Sequence, residues 1–325
     1  MPELPDITVY VESLAAKLHG DTLERVRVPD PFVLRTAVPP ISQAEGRRVL
    51  GVERLGKRVV LELQGDGGHS LFVMIHLMVA GRLRWLAAGA KPPARGALAS
   101  LTFRAGTLVL TEAGTKRRAS IHLVDGREAL AAMDPGGIDV FASSAEAFAN
   151  RLAAENHTLK RSLTNPRLFS GIGNAYADEI LHRAKLSPIT LTRRLAPDEV
   201  QRLHAAVRDV LREWIERLRA EAAKSGAWPD KVTAFRPEMA VHGKYRQPCP
   251  VCGAPVQRIV HAGHALRLSS VAAPRGGAGD LGAAQRSPNE TNYCARCQTG
   301  GRLLADRALS TLLTASWPRH IDDIE

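Results

Sequence analysis

The chain has 325 residues, 45% of them hydrophobic, which is enough to bury a core in each of two domains and excludes a disordered tail protein. Lysine and arginine number 44 against 33 acidic residues, and the resulting +11 favours polyanionic partners such as nucleic acid or an anionic membrane surface. No apolar run approaches the ~18 residues that span a bilayer, and no basic segment followed by an apolar core opens the chain, so neither membrane insertion nor secretion is signalled and the cytoplasm is the expected compartment.

Residues 6–18 carry Ile7, Val9, Val11, Leu14, Ala15 and Leu18 at mostly helical spacing, which predicts a short helix. From 22 to about 140 the chain breaks into short apolar runs, such as Val59-Val60-Leu61 and Leu108-Val109-Leu110, bounded by Gly, Pro and Asp. That pattern predicts a β-sandwich or barrel. Past Pro135-Gly136-Gly137 the character turns helical. Val200, Leu203, Val207, Val210, Leu211, Trp214, Ile215 and Leu218 recur at three and four after Pro197, which is placed to open a helix. From Gly243 the chain is short-spaced and turn-rich again. Residues 263–287 hold five Gly and six Ala without periodicity and are expected to form a mobile loop. Residues 302–313 space Leu303, Leu304, Leu309, Leu312 and Leu313 as a closing surface helix.

Three features carry chemistry. Removal of Met1 before a small residue would expose Pro2 as a free secondary amine; an α-amino group titrates near pH ~8, so part of it is an unprotonated nucleophile able to attack a sugar carbon. Glu3 beside it is placed to act as a general acid. Second, Gly171-Ile-Gly-Asn174 permits a tight turn before a helical run at 175–181, so backbone N–H groups and the Asn174 amide can face a phosphate, with Lys160, Arg161 and Arg167 nearby. Asp178 and Glu179 point about 100° apart on that helix, so they read as a salt bridge and a solvated charge rather than a shared acid–base pair. Third, Cys249-Pro-Val-Cys252 and Cys294-Ala-Arg-Cys297 supply four thiolates, the donor set of one tetrahedral structural Zn²⁺. The 41 residues between the pairs exceed the ~15–20 of common zinc ribbons, and the surplus coincides with the Gly/Ala-rich loop. His261 and His264 stand outside this set, which four thiolates already fill.

The N-terminal hexapeptide Met1-Pro-Glu-Leu-Pro-Asp6, Lys57 within Leu-Gly-Lys-Arg, the segment Gly171-Ile-Gly-Asn-Ala-Tyr-Ala-Asp-Glu-Ile-Leu181 and the CxxC pairs ending in Cys297-Gln298 occur in this order. Together they resemble the formamidopyrimidine-DNA glycosylase and endonuclease VIII family over residues 2 to about 298. The resemblance implies an α+β multidomain chain: a catalytic β-sandwich with flanking helices (2–140), a helix-two-turn-helix domain (141–242), a zinc hairpin (243–300) containing the inserted loop, and a helical tail (301–325). It further implies a monomeric base-excision repair enzyme acting on double-stranded DNA with damaged bases or abasic sites, held in the cleft between the two halves. In that reading Pro2 displaces the base at C1′ to form a Schiff base, and successive eliminations release the flanking phosphates. Glu3 protonates the sugar ring, Lys57 contacts phosphate and assists elimination, and Lys160, Asn174, Arg117 and Arg118 bind DNA.

The chain departs from the family pattern in several places. Asn289 stands where an arginine usually precedes the third hairpin cysteine, and an amide cannot supply that charge, although Arg286, or Arg267 and Arg275 of the inserted loop, offer cations nearby. His76-Leu77-Met78-Val79 replaces the usual His-Leu-Gly-Met; Met78 reads either as intruding into DNA or as a core residue. Arg117-Arg118-Ala119 keeps an arginine without the aromatic wedge, the histidine usual near Arg95-Gly96-Ala97 is missing, and the short 232–241 stretch points away from oxidised guanine as the preferred base. Two other readings stay open: an abasic-site lyase with little base excision, and a non-catalytic binder of distorted DNA. With 5% aromatic residues, a single-strand stacking platform is disfavoured.

Overall fold

Helix α1 (Leu4–Leu18) begins at Leu4 because Glu3 caps it: Glu3 N–H donates to Asp6 Oδ2 at 2.9 Å, and the Glu3 side chain accepts in return from the backbone of Asp6. Its apolar stripe of Ile7, Tyr10, Leu14 and Leu18 is fully buried. Eight strands follow: β1 (Thr22–Arg27), β2 (Arg47–Leu55), β3 (Arg58–Gln64), β4 (Ser70–His76), β5 (Gly81–Ala87), β6 (Ala97–Phe103), β7 (Gly106–Glu112) and β8 (Ser120–Asp125). They pair antiparallel in the order β5-β7-β6-β1-β2-β3-β4-β8. The array folds over a common core. Val59 and Leu61 of β3, Val73 and Ile75 of β4, and Ile121 of β8 share one cluster with Leu83 of β5, Leu101 of β6 and Leu108 of β7, which makes the array a sandwich closed by α1. Strand β4 reads as an unbroken apolar run because its other face is buried too: Phe72 and Met74 meet Val60, Val124 and Leu130, the last from α2 (Arg127–Ala131).

The helical half comprises α3 (Ala145–Ala153), α4 (Leu159–Thr164), α5 (Asn174–Arg183) and α6 (Pro197–Lys224), with Pro197 opening α6 as expected. A hairpin of β9 (Gln257–Val260) and β10 (Glu290–Tyr293) and the short α7 (Ala295–Thr299) follow among the described residues. The computed structural model describes residues 1–93, 96–113, 117–230, 232, 235–260, 290–304 and 319–323. The expected loop at 263–287, His261, His264, Arg95, Asn289 and most of the tail lie outside these residues. Two compact units emerge. The first is 1–151, 165–173 and 208–234; the second is 152–164, 174–207 and 235–325. Trp228 and Val232, beyond α6, plug the sandwich core, where Trp228 meets Tyr10 and Trp85. In the second unit Val241, Cys249, Val256, Ile259, Tyr293 and Leu304 form the core around the hairpin. The helix expected from 302 does not form at its start. Leu303 N–H donates to Arg319 O at 2.9 Å and both Leu303 and Leu304 are buried, so cross-strand pairing replaces helical bonds there. Among the described residues no helix is long and apolar enough to cross a membrane.

Candidate active site and metal centre

The sandwich unit gathers three separate pieces of chain at the N-terminus. Pro2 and Glu3 are buried just before α1. Leu4 N–H donates to Gly171 O at 2.9 Å, and Glu3 Oε2 accepts the N–H of Gly173 at 2.6 Å, so the 165–173 loop holds the first residues in place. Lys57 is the tip of the two-residue Gly56-Lys57 turn joining β2 to β3, where Gly56 takes φ +62°. A Cβ on Gly173 would stand 2.6 Å from Glu3 Oε1 and 2.7 Å from Lys57 Nζ. Any side chain at Gly173 would therefore force this carboxylate and this ammonium to shift. Gly171 is required twice over, by φ +85° and by Leu4 Cβ at 2.8 Å from any side chain added there. Burial pulls the Met1 amine below its ordinary value, Arg82 and Lys57 adding to the effect and Glu3 and Asp6 opposing it.

Sequence reading missed Arg54, which braces this arrangement. Its Nη1 donates to Gly56 O at 2.9 Å and to Ser170 Oγ at 3.2 Å, tying the Lys57 turn to the 165–173 loop, and its Nη2 pairs with Asp139 Oδ2 at 2.6 Å. No local signal marks a bracing arginine; its partners lie up to 116 positions away. His76 closes β4, where burial, reinforced by Arg58, Lys57 and His122, pushes its imidazole down to about 4. It is a neutral ring at physiological pH.

The turn after His76 leaves Met78 outside the buried core, against the core reading. Met78 is half-buried with φ +52°, a left-handed conformation, and Val79 beyond it is 44% exposed at the tip. Arg82 fastens the turn from below through Gly81 O at 2.7 Å. Arg117 is half-exposed and paired with Asp30 at 2.7 Å, while the exposed Arg118 is positioned by its backbone, since Glu112 Oε2 accepts the N–H groups of Arg118 and Ala119.

In the second unit Lys160 turns inward. Its Nζ donates to Asp178 Oδ1 and to Asn174 O, both at 2.5 Å, and the residue is 8% exposed. Asn174 opens α5 and its Nδ2 donates to the carbonyl of Glu290 on β10 at 2.8 Å. Asp178 is the salt-bridged carboxylate expected. Burial alone would raise it, but Lys160 and His242 outweigh burial and hold it below the usual carboxylate range. Glu179 is not solvated. It is buried and accepts the backbone N–H groups of Ala240, Val241 and His242, because the chain beyond α6 crosses that face and needs an acceptor; burial raises its pKa in spite of these bonds.

The four cysteines converge. Their Sγ atoms all lie within 4.8 Å of one another, with Cys252 and Cys294 at 3.3 Å and Cys249 and Cys297 at 3.9 Å. Four sulfurs at such separations can enclose one metal ion of about 2.3 Å bond length. Both CxxC turns contribute, across the 41-residue interval.

The model of the formamidopyrimidine-DNA glycosylase N-terminal domain matches residues 1–129, and that of the H2TH domain of the same glycosylases matches 137–224. The formamidopyrimidine-DNA glycosylase of Thermus thermophilus is 35% identical over 273 residues, spanning 81% of this chain and 95% of that protein. The chain belongs to the formamidopyrimidine-DNA glycosylase family. The glycosylase of Acidovorax sp. strain JS42 is 32% identical, over 79% of this chain and 93% of its own. The crystal structure of the Thermus thermophilus protein superposes with a TM-score of 0.66 at 29% identity, covering 91% of this chain and 98% of that one. The Lactococcus lactis glycosylase, solved noncovalently bound to DNA with an abasic site, superposes at 0.71 with 21% identity over 91% and 99%, a likeness of fold. In this glycosylase Glu3 and Lys57 come from the stretch matched by the family's N-terminal domain, and Gly173, which stands between them, comes from the stretch matched by the H2TH domain.

Proposed function

We propose that this base-excision repair glycosylase excises damaged bases and cleaves the resulting abasic site with the amine of Pro2, freed by removal of Met1. The observation that carries the reading is the convergence of Glu3 and Lys57 on Gly173 directly behind the N-terminus. The Pro2 nitrogen bonds to C1′ as the glycosidic bond breaks and the base leaves with a proton, while Glu3 supplies a proton to the opening sugar ring. The resulting iminium acidifies C2′–H. Loss of that proton expels the 3′ phosphate, a second elimination expels the 5′ phosphate, and water releases Pro2. In this reading the Lys57 ammonium steadies a departing phosphate. Arg118, exposed on a loop pinned by Glu112, and Asn174 and Arg117 serve as DNA contacts, the latter two after exchanging internal partners for phosphate. Lys160 works from inside, holding the first turn of α5 by its Asn174 carbonyl.

The metal of the four-cysteine centre is zinc in this reading. Four thiolates with no open position suit a structural Zn²⁺, which when bound holds the two CxxC turns together and supplies no chemistry to the reaction. Metal analysis of the purified protein should give one zinc per chain.

Borohydride trapping tests the central step. A covalent protein–DNA adduct should form with abasic duplex and should vanish when an N-terminal extension keeps Pro2 acylated. Cleavage through a blocked terminus would overturn the mechanism.

A further inference from the structure

Asn174, Asp178 and His182 follow one another at intervals of four along α5, so their side chains leave one face of the helix, a turn apart. All three meet the cysteine-bearing end of the chain. Asn174 Nδ2 donates to Glu290 O; Asp178 Oδ2 accepts from His242 Nδ1 at 2.7 Å and from Asn292 Nδ2 at 3.3 Å; His182 Nε2 stands 3.3 Å from Cys249 Sγ. His182 is 6% exposed and Cys249 2%, so water does not stand in for either partner.

We infer that His182 is a positioning residue of the metal centre: its Nε2–H donates to the Cys249 thiolate and fixes that sulfur to α5. A cysteine that ligates a metal is a thiolate and has no proton to give, so the only donor at this contact is the ring nitrogen. In the neutral ring this places the proton on Nε2 rather than on Nδ1. A buried thiolate that loses this donor loses a charge-assisted hydrogen bond that solvent does not replace, and outer partners of this kind change metal affinity about 10- to 100-fold. The same helix begins with Asn174, so the metal centre and the end of α5 that contacts β10 are held by one rigid element. The inference rests on the metal reading above and is independent of the reaction at Pro2.

The test uses the full-length, metal-loaded protein, with metal content measured first so that absence of the ion is told apart from failure of this inference. Zinc release into an excess of a chromophoric chelator should be about 10-fold faster in His182→Phe, which keeps bulk and loses the donor, and close to wild type in His182→Gln, which keeps an N–H. With cobalt(II) in place of zinc, the thiolate-to-metal charge-transfer band should move to lower energy in His182→Phe, because an undonated sulfur lone pair lies higher. Should His182→Phe fail to fold, ¹⁵N shifts of the wild-type imidazole decide alone. A proton on Nε2 supports the assignment, whereas a proton on Nδ1, or a folded His182→Phe with unchanged release and unchanged band, overturns it.

Discussion

The carboxylate of Glu3 accepts the backbone N–H of Gly173 at 2.6 Å, joining the third residue of the chain to one 170 positions further on. The room for this bond exists because Gly173 has no side chain. In Gly173→Ala the new Cβ would lie 2.6 Å from Glu3 Oε1 and 2.7 Å from Lys57 Nζ, so both groups must move. Misplacement by about 1 Å costs on the order of 10²-fold in rate, and the variant should form the borohydride-trapped adduct about 100-fold more slowly. Its stability should fall by no more than about 1–3 kcal/mol. Wild-type trapping by a folded Gly173→Ala would show that this contact does not set the geometry.

Met78 holds φ +52° in the turn after β4. A left-handed conformation costs a residue with a Cβ about 1–3 kcal/mol, part of which glycine forfeits through the entropy of the unfolded chain. Met78→Gly should therefore stabilise the protein by about 1 kcal/mol in urea denaturation. A lower midpoint would mean that the half-buried thioether contributes more through packing than the backbone loses.

His76 carries a pH signature. Its folded pKa of about 4 lies below the ordinary 6.5, chiefly through burial. The unfolded chain therefore takes up the proton first as pH falls, so the stability associated with the neutral ring is fully present above pH 6.5, declines between 6.5 and about 4, and is gone below. The difference amounts to at most about 3 kcal/mol. Denaturation of wild type and His76→Gln at about pH 7 and about pH 5 should show the wild type losing more; parallel losses would place the titration elsewhere.

Arg54 and Asp139 pair at 2.6 Å with the guanidinium mostly buried. Truncating the acid leaves a cation that still holds Gly56 and Ser170 but lacks its counter-charge. Asp139→Ala should cost about 2 kcal/mol, a little below a fully buried pair because Asp139 is 41% exposed. Calorimetric melting provides the comparison.

Much of this architecture was legible in the residue order, where periodicity was local. The α1 stripe, the short strands and Pro197 at the start of α6 act over one or two turns of chain, and each fell where its pattern placed it. The proximity of Glu3 and Lys57 was legible through the resemblance, and the clustering of the four cysteines through composition and spacing. What escaped was everything made by distant partners. Arg54 looks like any strand arginine until Ser170 and Asp139 arrive beside it; Glu179 looks like a solvent-facing helix acid until residues 240–242 cover it; Lys160 reads as a surface cation although Asp178 draws it inward. Helical spacing at 302–304 misled because two adjacent buried leucines also suit an extended segment paired with Arg319 and His320.

The cage around the first residues has an order of assembly. Ribosomes deliver the amino terminus first, and the loop at 171–173 emerges only after some 170 further residues have been joined. Pro2 is already enclosed once that loop closes over Leu4 and Glu3. In the mechanism proposed above, where Pro2 acts as a free amine, this order favours trimming of Met1 on the nascent chain, before the 171–173 loop closes over Leu4 and Glu3.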